Sequence, residues 1–134
     1  MERILVIDDN PDLTRLIKIS LQGAGYEVDV ASDGIDGMEA QRRDPADLVI
    51  TDIFMPRAEG IETISNLRRE FPAVRILAMS GGYTGLKGDY LELALDVGAC
   101  QTLLKPFTPD ELVEQVQRLL ALPRLGTDRP GVRS

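Results

Sequence analysis

Two carboxylates, Asp8 and Asp9, stand side by side directly after the apolar run Ile4-Leu5-Val6-Ile7. Held about 4 Å apart at an effective dielectric near 20, two such charges repel by roughly 4 kcal/mol. One of them resists ionisation unless a cation lies between the two. A third acid, Asp52, follows Leu48-Val49-Ile50 within "LVITDIFMP"; Ser80 closes "ILAMS" and Lys105 closes "TLLK". Few, hard oxygen donors suit Mg²⁺, which keeps several waters and accepts phosphate oxygens. A lysine ammonium is a compact charge for a phosphoryl oxygen or a carboxylate. A carboxylate can itself attack phosphorus and become an acyl phosphate. Such a transfer asks a protein mostly for positioning and for neutralisation of charge.

Each residue also has a plainer reading on its own. Asp8-Asp9 could serve as acids at a helix N-terminus, Asp52 as a strand-end turn residue, Ser80 as a structural hydroxyl and Lys105 as a solvated lysine. Their common placement argues against coincidence, and that placement depends on the elements between them.

Apolar runs at 4–7, 28–31, 48–50, 76–79 and 102–104 alternate with helical patterns along the chain. Four are nearly continuous, as in parallel strands covered on both faces, whereas "EVDV" alternates like an edge strand. The first helix is expected over 11–24. Asn10 caps it, Pro11 takes its first position, Leu13, Leu16, Ile17, Leu21 and Ala24 share a face, and Gly25 stops it. A second, over 34–43, is loosened by Gly34 and Gly37; a third, over 60–70, turns Ile61, Ile64, Leu67 and Phe71 inward. The fourth spans 89–97 and ends at Gly98. The fifth opens with the capping box Thr108-Pro109-Asp110-Glu111 and places Leu112, Val113, Val116, Leu119 and Leu120 at helical spacing.

Five such units predict a doubly wound α/β domain with a five-stranded parallel sheet in the order 2-1-3-4-5. Sites in such sheets form beyond the carboxyl ends of the strands, where the order reverses. Strands 1, 3, 4 and 5 end in the acids, the serine and the lysine, and Asp52 lies at the reversal itself. The domain is expected over 1–122, with a Pro/Gly/Arg-rich, disordered tail over 123–134.

A length of 134 residues is one domain's worth, and the net charge of −7 argues against a nucleic-acid footprint. No apolar run reaches the ~20 residues of a membrane span and none resembles a signal peptide, so a cytoplasmic location is expected. Cys100 is the single cysteine and reads as a small core residue; Arg68-Arg69 reads as a solvated helical face. The chain has no histidine.

"ILVIDDNPDL", "DLVITDIFMP", the Ser80 strand end and "GACQTLLKPFTPDEL" resemble the receiver domains of two-component response regulators, a CheY-like superfamily with a flavodoxin-like (βα)5 fold. The resemblance covers residues 2–121. It implies a phosphoacceptor rather than an enzyme: Asp52 would take a phosphoryl group from a phosphohistidine on a histidine kinase or histidine phosphotransfer protein. It implies that Asp9, Asp52 and the main-chain carbonyl of Phe54 hold Mg²⁺ (or Mn²⁺), with Asp8 acting through water. Lys105 would pair first with the acids and then with the phosphoryl group, and the Lys105–Pro106 bond would be cis. The absence of histidine fits a donor on another protein. The downstream target would be a protein, reached through the fourth helix, fifth strand and fifth helix, with neither nucleic acid nor membrane as partner.

The chain departs from the family pattern in places. Thr102 stands where the family usually has an aromatic residue that swings inward as the serine moves to the phosphoryl group. The glycine-rich "GGYTGLKGD" after Ser80 is longer than common, and Tyr83 is a candidate to replace the missing aromatic. Phe54 would slow water's access to an acyl phosphate, while Gly81 leaves the opposite side open. Met1 and the ending "GVRS" favour a stand-alone protein over a fragment of a DNA-binding regulator or hybrid kinase. A haloacid-dehalogenase-like phosphatase fits poorly, because its Asp-x-Asp pattern is broken here by Phe54. A flavin binder would need a phosphate loop where "DDNPDL" would repel phosphate.

Overall fold

A computed structural model of the chain describes residues 2–53, 60–81 and 87–122. Strands and helices alternate throughout: β1 (Arg3–Ile7), α1 (Pro11–Gly23), β2 (Glu27–Ala31), α2 (Gly34–Arg43), β3 (Leu48–Asp52), α3 (Gly60–Glu70), β4 (Arg75–Ser80), α4 (Lys87–Val97), β5 (Gln101–Leu104) and α5 (Pro109–Leu120). The five strands form one sheet in the order β2-β1-β3-β4-β5, and every neighbouring pair is parallel, as expected from the sequence.

Alternation along β1 divides the core. Ile4 and Val6 pack with Ile17 and Leu21 of α1 and with Leu112, Val116 and Leu119 of α5. Leu5 and Ile7 face the opposite layer, with Met38 of α2, Ile64 and Leu67 of α3 and Ala94 of α4. Burial of each such aliphatic side chain stabilises by about 1.5–3 kcal/mol, so each helix is held mainly by its apolar face. β2 lies at the edge, and its Val30 is exposed.

Local chemistry sets the element ends. The Asn10 side chain accepts hydrogen bonds from the Asp12 and Leu13 amides at the start of α1. Gly25, at φ 102°, follows its C-cap, Ala24, in the left-handed region that glycine enters without strain. Thr108 and Glu111 form the expected capping box of α5.

Two expectations need correction. Gly37 does more than loosen α2: a Cβ there would lie 2.4 Å from Ile7 Cδ1, so the glycine lets the helix approach β1 closely. Arg68 does not belong to a solvated face. Its guanidinium donates to the carbonyls of Gly98 at 2.9 Å and Pro72 at 2.6 Å, tying α3 to the turn between α4 and β5. Cys100 is half-buried against the α1–α5 layer, with Sγ 3.7 Å from Arg68. Arg75, the first residue of β4, is buried and donates to the Leu122 carbonyl beyond α5.

Candidate functional site

The strand ends bring the chemistry-bearing residues together. Asp8 follows β1, and its N–H donates to the carbonyl of Ala31, the last residue of β2. Asp52 is the last residue of β3 and Ser80 the last of β4. The ladder continues past the strands: Ile53 N–H donates to the Met79 carbonyl at 2.9 Å, and Lys105 N–H to the Ser80 carbonyl at 2.8 Å. The backbone beneath the site is therefore part of the sheet rather than a free loop.

The Lys105 ammonium is 2.9 Å from Asp8 Oδ2 and 3.4 Å from Asp52 Oδ1. Asp8 is buried, and its other oxygen accepts the Asn10 N–H at 2.9 Å. Burial pushes the Lys105 ammonium towards neutrality. The hydrogen bond it donates to Asp8 and the charges of Asp52 and Asp8 more than reverse this, so its pKa stands above the ordinary lysine value. The stabilisation linked to that rise is complete below the unfolded lysine pKa of about 10.4, and is lost as pH climbs through the folded value. The Lys105–Pro106 peptide bond is cis.

Asp8, Asp9 and Asp52 each offer a carboxylate oxygen, all lying within 4.8 Å of one another. Asp9 is exposed, which leaves one side open to water. This all-oxygen set, with no sulfur or imidazole, fits a hard divalent ion that keeps part of its hydration. Ser80 is wholly buried, and its Oγ has no hydrogen-bond partner among the described residues. An unsatisfied buried hydroxyl costs about 1–3 kcal/mol. It is a donor held at the site's edge without an occupation of its own. Thr102 is half-buried on β5, in register with Ala78 of β4. Gly81 is half-buried next to Ser80, and Pro106 is exposed. Phe54, Tyr83 and the tail over 123–134 lie outside the described residues.

A family model described as the response regulator receiver domain matches residues 4–117. The chain belongs to the response regulator receiver family. The alkaline phosphatase synthesis transcriptional regulatory protein PhoP of Bacillus subtilis is 30% identical over 122 residues, which are 89% of this chain and 48% of that protein. The DNA-binding response regulator MtrA of Mycolicibacterium smegmatis is 35% identical over 133 residues, 96% of this chain and 54% of that protein. The chain thus spans about half the length of these relatives. Among solved structures, the chemotaxis protein CheY4 of Vibrio cholerae superposes with a TM-score of 0.80 at 30% identity, covering 89% of this chain and 98% of that one. The receiver domain of NtrX from Brucella abortus gives 0.83 at 27% identity, covering 90% and 99%.

One residue of this receiver domain matters to the site although its sequence context gave it only the start of a helix. Gly60 opens α3 directly against the end of β3. A Cβ there would lie 2.1 Å from the Asp52 carbonyl oxygen and 2.4 Å from Ile53 Cα, and the Gly60 N–H donates to the Ile53 carbonyl at 2.8 Å. The glycine thus sets how closely α3 seats beneath Asp52. The only sequence signal was a glycine eight positions after an acid that ends a strand.

Proposed function

We propose that Asp52 is the phosphoacceptor of this two-component receiver domain, and that its phosphorylation changes which protein the domain contacts. The observation that carries this is the Lys105 ammonium set between Asp8 and Asp52, 2.9 Å and 3.4 Å away, at the carboxyl edge of the sheet. A carboxylate oxygen of Asp52 attacks the phosphorus of a partner's phosphohistidine. The O–P bond forms, the N–P bond breaks, and the departing imidazole takes its proton from water. This chain has no histidine, so the donor belongs to a histidine kinase or histidine phosphotransfer protein.

Asp9 and Asp52, the Phe54 carbonyl and, through water, Asp8 would hold Mg²⁺ or Mn²⁺. The ion would neutralise charge on the transferring group. Lys105 moves from the carboxylate pair to a phosphoryl oxygen, and the unpartnered Ser80 hydroxyl donates to another. Ser80 supports the reading because it supplies an unused donor one residue beyond Met79, which pairs with Asp52. Thr102, beside Ala78, then stands where the readout of that movement would pass. Gly81, directly after Ser80, and Phe54, two positions after Asp52 in the sequence, would set the exchange of the acyl phosphate with water. The domain promotes its own phosphorylation and hydrolysis and acts as a signalling element rather than a catalyst for other substrates.

The test is intact mass and peptide mapping after incubation with a small acyl-phosphate donor, with and without Mg²⁺, on the wild type and Asp52→Asn. One added phosphoryl group that needs Mg²⁺ and is lost in Asp52→Asn is the expected result. Modification that persists in Asp52→Asn, or is indifferent to the metal, would sink the proposal. If the small donor adds nothing, beryllofluoride binding decides. Binding that depends on Asp52 keeps the acceptor and demands the cognate donor, whereas no binding rejects it.

The half-length match to PhoP and MtrA favours a second reading, in which this receiver forms part of a longer regulator. DNA recognition would then lie outside the domain, whose own acidic character speaks against a direct nucleic-acid contact. Among the described residues no helix is long and apolar enough to cross a membrane, which supports placing the domain in the cytoplasm.

A further inference from the structure

β3 is aliphatic until its last two residues: Leu48, Val49 and Ile50 precede Thr51 and Asp52, and every one of them is buried. Thr51 is in register with Ile7 of β1 on one side and with Ala78 of β4 on the other. Between two such apolar neighbours a valine would pack without penalty, whereas a hydroxyl withdrawn from water costs free energy unless it finds a partner. The partner here is the main chain of the next residue. Thr51 Oγ1 donates to the Asp52 carbonyl at 3.1 Å. That carbonyl belongs to the Asp52–Ile53 peptide, whose N–H donates to the Met79 carbonyl at 2.9 Å. A peptide unit is planar, so bonds to its C=O and to its N–H together fix its tilt. Strand pairing with β1 ends at Thr51, one residue short of Asp52, and the hydroxyl acts where that ladder stops.

We propose that Thr51 is a positioning residue for phosphoryl transfer to Asp52, an inference that rests on Asp52 being the acceptor. Its hydroxyl holds the Asp52–Ile53 peptide at the tilt that sets the Asp52 carboxylate 3.4 Å from the Lys105 ammonium and within the cluster of three acids. Thr51 is wholly buried, so the hydroxyl touches neither donor nor metal and acts only through the main chain. The two branches of the side chain then have separate duties: the methyl packs, and the hydroxyl orients. Valine keeps the shape and gives up the orienting bond. Serine keeps the bond and gives up only a methyl.

The test is the rate of phosphorylation of the full chain by a small acyl-phosphate donor, at saturating Mg²⁺ and over a range of donor concentrations. It compares the wild type with Thr51→Val, Thr51→Ser and Asp52→Asn. A displacement of about 1 Å at a reacting group can cost ~10²-fold, and a smaller tilt should slow Thr51→Val about tenfold. The half-saturating donor concentration should not move, because Thr51 makes no contact with the donor. Thr51→Ser should stay within about twofold of the wild-type rate, while the lost methyl lowers its melting temperature by about 3 °C. A merely structural role gives the reverse pairing, with the less stable serine variant the slower. Thr51→Val at the wild-type rate, or Thr51→Ser as slow as Thr51→Val, would overturn the proposal while Asp52→Asn stays inert. Phosphorylation of Asp52→Asn would instead reject the acceptor, and the positioning role with it. Amide spectra show whether Thr51→Val is folded; if it is not, the serine variant decides, a retained rate supporting the role and a tenfold loss rejecting it.

Discussion

Gly60 offers the sharpest test of how the helix layer supports the site. In Gly60→Ala the added methyl meets backbone on two sides: the Asp52 carbonyl oxygen at 2.1 Å, Ile53 Cα at 2.4 Å and the Ile53 oxygen at 2.6 Å. Non-bonded carbon contacts are comfortable at about 3.5–4.0 Å, so α3 or the end of β3 must retreat by more than an ångström. Neither side is a side-chain end that can swing away. Overpacking typically costs about 1–3 kcal/mol, and with backbone on both sides about 3 kcal/mol or more is expected here. At roughly 4 °C per kcal/mol for a chain of this size, the melting temperature should fall by about 12 °C.

Two other glycines serve as internal standards. At Gly37 the same methyl meets the tip of the Ile7 side chain at 2.4 Å, which can shift at a cost of about 1–2 kcal/mol. At Gly23, the last residue of α1, nothing lies within 4 Å, and alanine should stabilise by about 0.5 kcal/mol. Urea unfolding of the three variants gives the order directly. Phosphorylation by a small acyl-phosphate donor gives a second readout. A displacement of about 1 Å at a reacting group can cost ~10²-fold in rate, so Gly60→Ala should slow the reaction at least about tenfold, and Gly37→Ala hardly at all. A Gly60→Ala variant within about 0.5 kcal/mol of wild type, or one less damaged than Gly37→Ala, would refute the steric reasoning.

Three further outcomes are expected. Ser80→Ala removes a buried hydroxyl that has no partner among the described residues, so stability should hold or rise by up to about 1 kcal/mol while beryllofluoride affinity falls; a marked loss of stability would show that the hydroxyl is already bonded. Arg68→Gln loses the donations to Gly98 and Pro72, costing about 1.5–3 kcal/mol and speeding amide exchange at Gly98–Cys100 more than in β1. The Arg42 hydrogen bond holds the Glu70 carboxylate below its ordinary range, so the pair's contribution is present above the usual glutamate pKa of about 4.3 and lost as pH falls. Arg42→Gln should therefore move the ¹³C-detected Glu70 titration upward, and an unmoved titration would deny the pairing.

What the sequence revealed and what it concealed follow from the range of the interactions involved. Strand periodicity, Asn10, Thr108 and Glu111 act within a few residues of themselves, so the sheet order and the ends of α1 and α5 were legible. Asp8, Asp52, Ser80 and Lys105 were legible for another reason: the parallel topology sends every strand end to one edge, so knowing the strands places the residues. Arg68, Arg75, Gly37 and Gly60 were not legible, because their roles depend on what another element sets against them. Arg68 and Arg69 are adjacent on one helix, yet the first reaches Gly98 in the turn between α4 and β5, while the second, among the described residues, donates to Asn66 on its own helix at 2.5 Å. The opening pair of acids shows the same division at the shortest range. Leaving the strand, the chain buries Asp8 and exposes Asp9. The repulsion between them is then relieved unequally, since Asp8 receives both the Lys105 ammonium and the Asn10 N–H. Two identical neighbours therefore enter the site with different duties: one neutralised in advance by the protein's own cation, the other left in water with its charge still to be met.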